Sequence, residues 1–145
     1  MEINNRKAKY DFEIDDTIEC GIVLKGTEIK SLRDGKANLK DSYAVIRNNE
    51  VFLLNTHISH YEQASVFNHD ETRSRKLLLH KKEILKLNEK IKLKGLTLVP
   101  LKMYFKKNKV KVLLGIAKGK KNYDKRETIK KRDTERLIRK ELKNF

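Results

Sequence analysis

Short runs in which apolar and polar residues alternate constrain the fold of this chain more than any other feature. From Ile18 to Leu24, and again from Val110 to Ile116, every second residue is apolar. A period of two is typical of a half-buried β-strand, whereas an amphipathic helix has a period of about 3.6 residues. The alternation therefore predicts a mainly β protein.

Two antiparallel hairpins are predicted from pairs of such runs. Two strands separated by Asn48-Asn49 are predicted within residues 43–54, because asparagine tolerates the left-handed backbone of a tight turn. Residues 97–105 and 110–117 form the second pair, with four polar residues between them. Pro100 has no amide proton to donate, so a bulge or a sheet edge is expected at that position.

A third hairpin is predicted near the N-terminus. Residues 10–14 and 18–24 would be its strands, and Asp15-Asp16 its turn. Residues 1–9 are polar and basic, and they are predicted to form an arm that belongs to no helix or strand.

Two helices are predicted between the strands. Residues 27–35 have two apolar residues at helical spacing and end in Gly35, a residue that favours the C-terminus of a helix. Residues 80–94 carry a longer apolar stripe and are followed by Gly95. Residues 61–72 have no periodicity and are expected to form a long irregular loop.

This succession of five to seven short strands with two helices fits a small closed barrel. An OB-fold-like antiparallel β-barrel with flanking helices pairs its own sheet edges, and this barrel is often used to bind single-stranded nucleic acid. An open antiparallel sheet with helices on one face also fits, and the pattern alone leaves both open. In either case we expect one domain, residues 10–117, after the arm of residues 1–9.

The chain has 35 Lys and Arg residues against 20 Asp and Glu, a formal net charge of +15. Such an excess indicates an acidic partner, and nucleic acid is the commonest one for a small basic domain. A membrane surface competes, but no apolar run approaches the ~20 residues of a spanning helix. With no signal-like apolar segment and with Cys20 as the single cysteine, a cytoplasmic protein is expected.

The last fifth of the chain, residues 118–145, is a basic C-terminal tail. It holds twelve Lys and Arg against five Asp and Glu, a net +7, and too few apolar residues for a core of its own. We expect it to be disordered alone or to form a helix on a polyanion, because each neutralised phosphate releases condensed counterions. A solvated tail that only aids solubility is the alternative.

Signals for catalysis are weak. No Gly-rich phosphate loop is present, and His57, His60 and His69 are interpreted as surface histidines rather than as metal ligands. The carboxylates of residues 11–19 could form a two-metal nuclease site, so a metal-dependent nuclease is one alternative function. They fit the outward faces of strands equally well. A generic single-strand RNA-binding protein is the other alternative function. No metal, no cofactor and no small-molecule substrate are expected.

Signals for binding are stronger, because three clusters of basic residues, two of them with a tyrosine, suit RNA or single-stranded nucleic acid. The clusters are Asn5, Arg6, Lys7 and Tyr10; Arg73, Arg75 and Lys76; and Lys118, Lys120, Lys121, Tyr123, Lys125 and Arg126. Phosphate would repel Glu19, so its functional role would be to accept hydrogen bonds from base amino groups or ribose hydroxyls. The alternative is that Glu19 is a surface charge that only balances a neighbouring lysine.

Three segments carry motifs that occur together in one known family. They are Gly26-Thr-Glu-Ile-Lys-Ser-Leu-Arg-Asp-Gly-Lys-Ala-Asn-Leu-Lys-Asp-Ser-Tyr43, Thr72-Arg-Ser-Arg-Lys-Leu-Leu-Leu79 and Gly115-Ile-Ala-Lys-Gly-Lys-Lys-Asn-Tyr-Asp-Lys-Arg126. In this order they closely resemble the bacterial small protein B family, also called the tmRNA-binding or SsrA-binding protein family. The match runs in register from about residue 5 to about residue 133.

The resemblance implies an OB-fold barrel that has no enzyme activity and binds the tRNA-like end of tmRNA. It implies that the complex enters the empty decoding site, the A site, of a stalled ribosome. The tail would enter the messenger channel as a helix, in place of codon–anticodon pairing. Translation would then switch to the tmRNA reading frame and tag the incomplete peptide for degradation.

By the same resemblance, Asn5, Glu19 and Leu78 match family residues that contact tmRNA, with the segment 73–76 beside them. The tail residues expected at the decoding site or in the messenger channel are Lys118, Gly119, Lys120, Lys121, Tyr123, Asp124, Lys125, Arg126, Ile129, Lys130 and Arg132. The chain departs from the family pattern at Thr27, Tyr123 and Thr134, where Trp, His and Trp are common.

Overall fold

The structure is a computed structural model that describes residues 2–62 and 67–119. Its strands are β1 (Glu2–Asn4), β2 (Phe12–Ile22), β3 (Ala37–Asn38), β4 (Tyr43–Arg47), β5 (Glu50–Leu54), β6 (His57–Ile58), β7 (Arg75–Leu78), β8 (Thr97–Lys106) and β9 (Lys109–Gly119). Its helices are α1 (Ala8–Asp11), α2 (Gly26–Arg33) and α3 (Lys81–Lys94).

Six of the strands close into a ring. Their order is β8-β4-β5-β7-β2-β9, and β9 pairs again with β8. Neighbouring strands in the ring are antiparallel. β1 adds to β8 outside the ring, and β3 pairs with β6 as a separate ribbon. The prediction of an OB-fold-like antiparallel barrel is therefore confirmed, and the open sheet is not the fold.

Two of the three predicted hairpins are confirmed. β4 and β5 are joined by Asn48 and Asn49, whose φ angles of 51° and 62° give the two-residue turn that matches the twist of the strands. β8 and β9 are joined by Lys107 and Asn108, which have φ angles of 50° and 65°. The bulge expected at Pro100 is present, since the register of β8 against β9 shifts between Pro100 and Lys102.

The third predicted hairpin is wrong. β2 is one strand that pairs with β9 along its length, and its register shifts between Ile14 and Asp16. Asp15 is the extra residue, so Asp15-Asp16 forms a bulge rather than a turn. A bulge and a turn interrupt a period-two pattern in the same way, and the sequence pattern therefore could not separate them. Tyr10, predicted in the first strand, lies in α1.

The N-terminal arm predicted for residues 1–9 also needs correction. Residues 2–4 form β1, in which Ile3 lies opposite Met103, and Ile3 packs against the core. Ala8, at the start of α1, is only 2% exposed. A polar segment with one apolar residue gives too weak a pattern to predict a strand. Residues 2–4 form a strand because they pair with β8.

The barrel interior and the two longer helices share one hydrophobic core. Val110, Val112, Leu114 and Ile116, the alternating residues of β9, are all buried. Leu32 of α2 and Leu87 of α3 join the same cluster. Both predicted helices are confirmed, and the second ends at Gly95 in the left-handed conformation. The described part of the irregular loop, residues 61–62 and 67–72, contains no helix or strand.

A buried ion-pair network ties α2 to β7. Glu28 of α2 is fully buried, and its carboxylate accepts from Arg75 Nε at 2.6 Å and from Arg73 Nη2 at 2.6 Å. Arg75 is fully buried too, and it also donates to the carbonyls of Thr56 at 2.7 Å and Glu71 at 3.1 Å. Helix, strand and loop are thus held by one satisfied polar cluster.

The carboxyl of Glu28 stays ionised in this setting. Burial raises its pKa, but hydrogen bonds from Arg73, from the backbone amide of Lys25 and from Arg75 outweigh burial, so the net pKa is lowered. The guanidinium of Arg75 therefore has a counter-charge at neutral pH.

Glu28→Gln should destabilise the barrel by roughly 3–5 kcal/mol, because Arg75 would remain buried without a counter-charge. Urea unfolding followed by circular dichroism measures the loss. The control is Glu50→Gln, whose partner Lys76 is also 2.6 Å away but whose ion pair is exposed on both sides. The control should lose less than about 1 kcal/mol. Equal losses in the two variants would contradict the role assigned to the buried network.

Candidate nucleic-acid interface

The outer faces of four neighbouring strands meet beside Glu19. Leu78 of β7 lies opposite Gly21 of β2, and Gly21 lies opposite Lys111 of β9. Lys111 in turn lies opposite Tyr104 of β8. Opposite residues of an antiparallel pair point to the same face, so these positions form one row, with Glu19 in the next row. Together these residues form the Glu19 patch: Glu19, Gly21, Leu78, Tyr104, Lys106 and Lys111.

Two side chains of β8 hold the carboxylate at the centre of the patch. The hydroxyl of Tyr104 donates to Oε2 of Glu19, and the ammonium of Lys106 donates to Oε1 at 3.3 Å. The hydrogen bond from Tyr104, followed by that from Lys106, lowers the pKa of Glu19. Desolvation and the nearby carboxylate raise the pKa of Tyr104 to about 12. At neutral pH the patch therefore presents a fixed, ionised acceptor beside a neutral phenol.

A hollow of about 350 Å³ opens next to this carboxylate. Its lining comprises Glu19, Cys20, Gly21, Leu78, Leu79, His80, Glu83 and Lys111. Because Gly21 has no side chain, its backbone lines the hollow directly. Leu78, which is 50% exposed, forms an apolar wall. An apolar wall, a hydrogen-bond acceptor and an ammonium group together suit an unpaired nucleotide, which offers a ring, donor groups and a phosphate.

The N-terminal cluster divides into an anchor and an exposed part. Asn5 Nδ2 donates to the carbonyl of Pro100 at 2.9 Å and to that of Leu39 at 3.4 Å, so this side chain fixes the chain to β8. Arg6 and Lys7 are exposed. Tyr10 has 74% of its surface exposed, which leaves its ring available for stacking.

The cluster at residues 73–76 differs most from the prediction. Arg75 was expected to contact RNA, but it is fully buried on Glu28, and this prediction is wrong in the folded barrel. The side chain of Arg73 is 23% exposed and shares the same carboxylate. Lys76 is exposed and pairs with Glu50. The alternation of side chains along β7 explains which residues are exposed. Arg75 and Leu77 point inward, while Lys76 and Leu78 point outward.

One histidine interpretation is also corrected. His69 was expected at the surface, but it is 2% exposed. Its Nε2–H donates to the carbonyl of Ile58 at 2.8 Å, and its Nδ1 lies 2.8 Å from the hydroxyl of Thr27. Burial with two partners makes this ring a structural link between α2 and the loop.

The first two tail residues belong to the barrel. Lys118 and Gly119 complete β9, opposite Glu13 and Phe12. The other predicted tail residues lie outside the described part of the chain; they are Lys120, Lys121, Tyr123, Asp124, Lys125, Arg126, Ile129, Lys130 and Arg132.

The carboxylates of the nuclease alternative do not share one site. Asp15 and Asp16 lie 3.1 and 3.8 Å from the ammonium of Lys90, whereas Glu19 is held by Tyr104. Among residues 2–62 and 67–119, no three His, Cys, Asp or Glu side chains are grouped so that they could hold a metal ion. In the same residues no helix is long and apolar enough to cross a membrane.

Sequence reasoning missed Tyr104, Lys106 and Lys111 as members of the patch. Their own positions in the hairpin of β8 and β9 were predictable. What was missing is that β9 pairs with β2 in the register that places Lys111 opposite Gly21. Only that long-range pairing carries β8 side chains to Glu19.

Comparison with known proteins gives one consistent family. A family model described as SmpB protein matches residues 2–144. An SsrA-binding protein of Enterococcus faecalis is 60% identical over 140 residues, which cover 97% of this chain and 91% of the relative. An SsrA-binding protein of Acetivibrio thermocellus is 62% identical over 142 residues, which cover 97% and 92%.

A solved structure agrees with these relatives. One of its chains superposes with a TM-score of 0.71 at 48% sequence identity, and the match covers 88% of this chain and 94% of that one. The structure is described as "tmRNA-SmpB: a journey to the center of the bacterial ribosome".

Tyr10→Ala should weaken binding of single-stranded RNA roughly tenfold, because stacking of one base on an aromatic ring contributes ~1–3 kcal/mol. Fluorescence anisotropy with a labelled RNA measures the affinity, and urea unfolding should show unchanged stability. Leu93→Ala is the control, because Leu93 is 84% exposed and lies on α3, outside the three basic clusters. RNA affinity that is the same for Tyr10→Ala and the wild type would refute a stacking role.

Proposed function

Because the chain belongs to the SmpB protein family, we propose that it is the tmRNA-binding adaptor of trans-translation, the rescue of stalled ribosomes. The resemblance inferred from the three sequence motifs is confirmed by the family match. The observation that carries the proposal is the Glu19 patch, in which an ionised carboxylate is fixed among lysines beside an open hollow.

Positive charge and Glu19 have different roles in this proposal: the charge attracts RNA, and Glu19 selects among RNAs. The excess of positive charge attracts any RNA, since phosphate contacts contribute affinity without reading sequence. Glu19 repels phosphate and accepts hydrogen bonds only from donor groups, which are base amino or imino groups and ribose hydroxyls. An RNA that presents such donors at the right place, as a folded tRNA-like end can, is favoured over other RNAs.

The tRNA-like domain of tmRNA is the proposed occupant of this surface. Its contacts are expected at the exposed members of the predicted set, which are Arg6, Lys7, Tyr10, Glu19, Lys76 and Leu78. Asn5 and Arg73 contribute by holding backbone segments, Asn5 through the carbonyl of Pro100 and Arg73 through that of Val23. Arg75 acts only from within the fold.

The C-terminal tail has a separate role in this proposal. Residues 120–145 continue directly from β9, so the barrel fixes the point at which the tail begins. We assign Lys118 to Arg126 to the decoding site of the small ribosomal subunit and Ile129, Lys130 and Arg132 to the messenger channel. A barrel that carries tmRNA would thereby bring the basic tail to the empty A site, and the incomplete peptide would be tagged for degradation.

In this role the protein needs no catalytic group, and its place is the cytoplasm, where ribosomes translate. A general RNA-binding protein with the same charge is the second candidate, favoured only by the net +15. The two candidates differ in selectivity, since charge alone binds RNAs of equal length about equally.

The proposed function predicts strong preference in a competition assay at near-physiological salt. The labelled tRNA-like end of tmRNA is displaced either by itself or by an unrelated hairpin of equal length. We expect the hairpin to compete at least about a hundredfold less well, because salt suppresses plain phosphate attraction. Equal competition would leave a general basic RNA-binding protein.

Removal of residues 120–145 should leave tmRNA affinity largely unchanged and abolish peptide tagging. Truncation after Gly119 keeps β9 intact, so the barrel retains its closure. The measurements are RNA binding and tagging on ribosomes stalled at the end of a messenger without a stop codon. Tagging by the truncated protein would show that the tail does not have the assigned role.

A further inference from the structure

We propose that Tyr104 is a positioning residue for RNA recognition, which together with Lys106 holds the Glu19 carboxylate so that its remaining acceptor sites point to donor groups of an unpaired nucleotide. This inference rests on the proposed function, because it concerns how the same patch recognises RNA. Nothing in the sequence motifs singles out Tyr104, and the geometry of the barrel alone connects it to Glu19.

The contact between Tyr104 and Glu19 crosses an intervening strand. Glu19 is on β2 and Tyr104 on β8, and β9 lies between them. A free Glu side chain on an exposed surface samples several rotamers, which costs entropy when a ligand fixes one. Tying each carboxylate oxygen to a β8 side chain selects the rotamer before RNA arrives. The carboxylate is thus preorganised.

Tyr104 suits this task because its side chain has few rotatable bonds and is itself held in place by Lys102. A tyrosine has two side-chain torsions and a rigid ring. The ammonium of Lys102 lies 5.2 Å from the centre of that ring, in cation–π contact, and Lys102 is 3.6 Å from Glu2 of β1. The support for Glu19 therefore extends through β8 to the edge strand.

The charges around Glu19 decide what it can accept. Lys106 and Tyr104 face it from β8, Lys111 from β9, and His80 and Glu83 line the same hollow at the start of α3. A carboxylate oxygen can accept about two hydrogen bonds, and each oxygen of Glu19 has one protein donor. The sites that remain would take amino, imino or 2′-hydroxyl donors, which single-stranded regions of RNA expose.

A double-mutant cycle tests the proposal with the full-length protein. Tyr104→Phe keeps the ring and removes the hydroxyl, and Glu19→Gln removes the charge. With the tRNA-like end of tmRNA as the probe, each single change should weaken binding, Tyr104→Phe by on the order of fivefold. The double variant should bind no more weakly than Glu19→Gln, because Tyr104 acts through the carboxylate.

Three results would overturn the inference. Tyr104→Phe could weaken binding by the same factor with and without Glu19→Gln, which would mean that Tyr104 contacts RNA independently. Tyr104→Phe could leave affinity unchanged, or Glu19→Gln could do so, and in either case no positioned acceptor operates. Tyr61→Phe is the matched control, since it removes a phenol hydroxyl from a half-buried ring packed under Lys30, outside the Glu19 patch.

A second readout separates positioning from simple loss of charge contacts. The dependence of affinity on salt should keep the same slope in Tyr104→Phe, because no phosphate contact is removed. Repeating the cycle with an unrelated hairpin distinguishes this inference from the proposed function. If the wild type binds both RNAs equally, the proposed function fails, while coupling between Tyr104 and Glu19 is still measured.

Discussion

The buried carboxylate of Glu28 is the interaction on which the rest of this structure depends. It neutralises Arg75 inside the fold and Arg73 at its margin, and Arg75 also binds carbonyls of two separate backbone segments. Buried ion pairs contribute little net stability, but the loss of one partner is strongly destabilising because the other charge stays buried. An arrangement that fails to bring the two partners together is therefore disfavoured. Here the arrangement concerned is the position of β7, the strand that joins β5 to β2.

Closure of the ring has a second requirement, which is curvature. β9 pairs with a bulged strand on each side, β2 with its extra residue Asp15 and β8 with its extra residue Leu101. Bulges increase local twist and allow a sheet to bend into a barrel. At the second bulge Leu101 packs over Gly115, where a Cβ would lie only 3.1 Å from the leucine side chain. Glycine at this position leaves room for the Leu101 side chain to lie over β9.

Closure and register together create the Glu19 patch, the proposed RNA-binding surface. β7, β2, β9 and β8 are consecutive in the ring, so side chains far apart in sequence share one outer face. In the proposed function, the net charge of +15 attracts any RNA, while the carboxylate of Glu19 and the apolar wall formed by Leu78 discriminate between RNAs. Rigid strands hold these groups, whereas the basic tail follows the last strand and carries a different part of the proposed function.

The sequence by itself determined the features that depend on neighbouring residues. Asn48-Asn49 forms its turn, Gly95 ends its helix, Pro100 lies at a bulge, and the alternation in β9 faces the core, because each depends on local backbone preferences or on the period of one element. The family motifs were equally readable. Tertiary structure decided that β2 is one continuous strand and that residues 2–4 form a strand. It also decided the burial of His69 and Arg75 and the contact of Tyr104 with Glu19. These depend on which distant strands pair and in which register, and a period-two pattern is the same for every partner that a strand could choose.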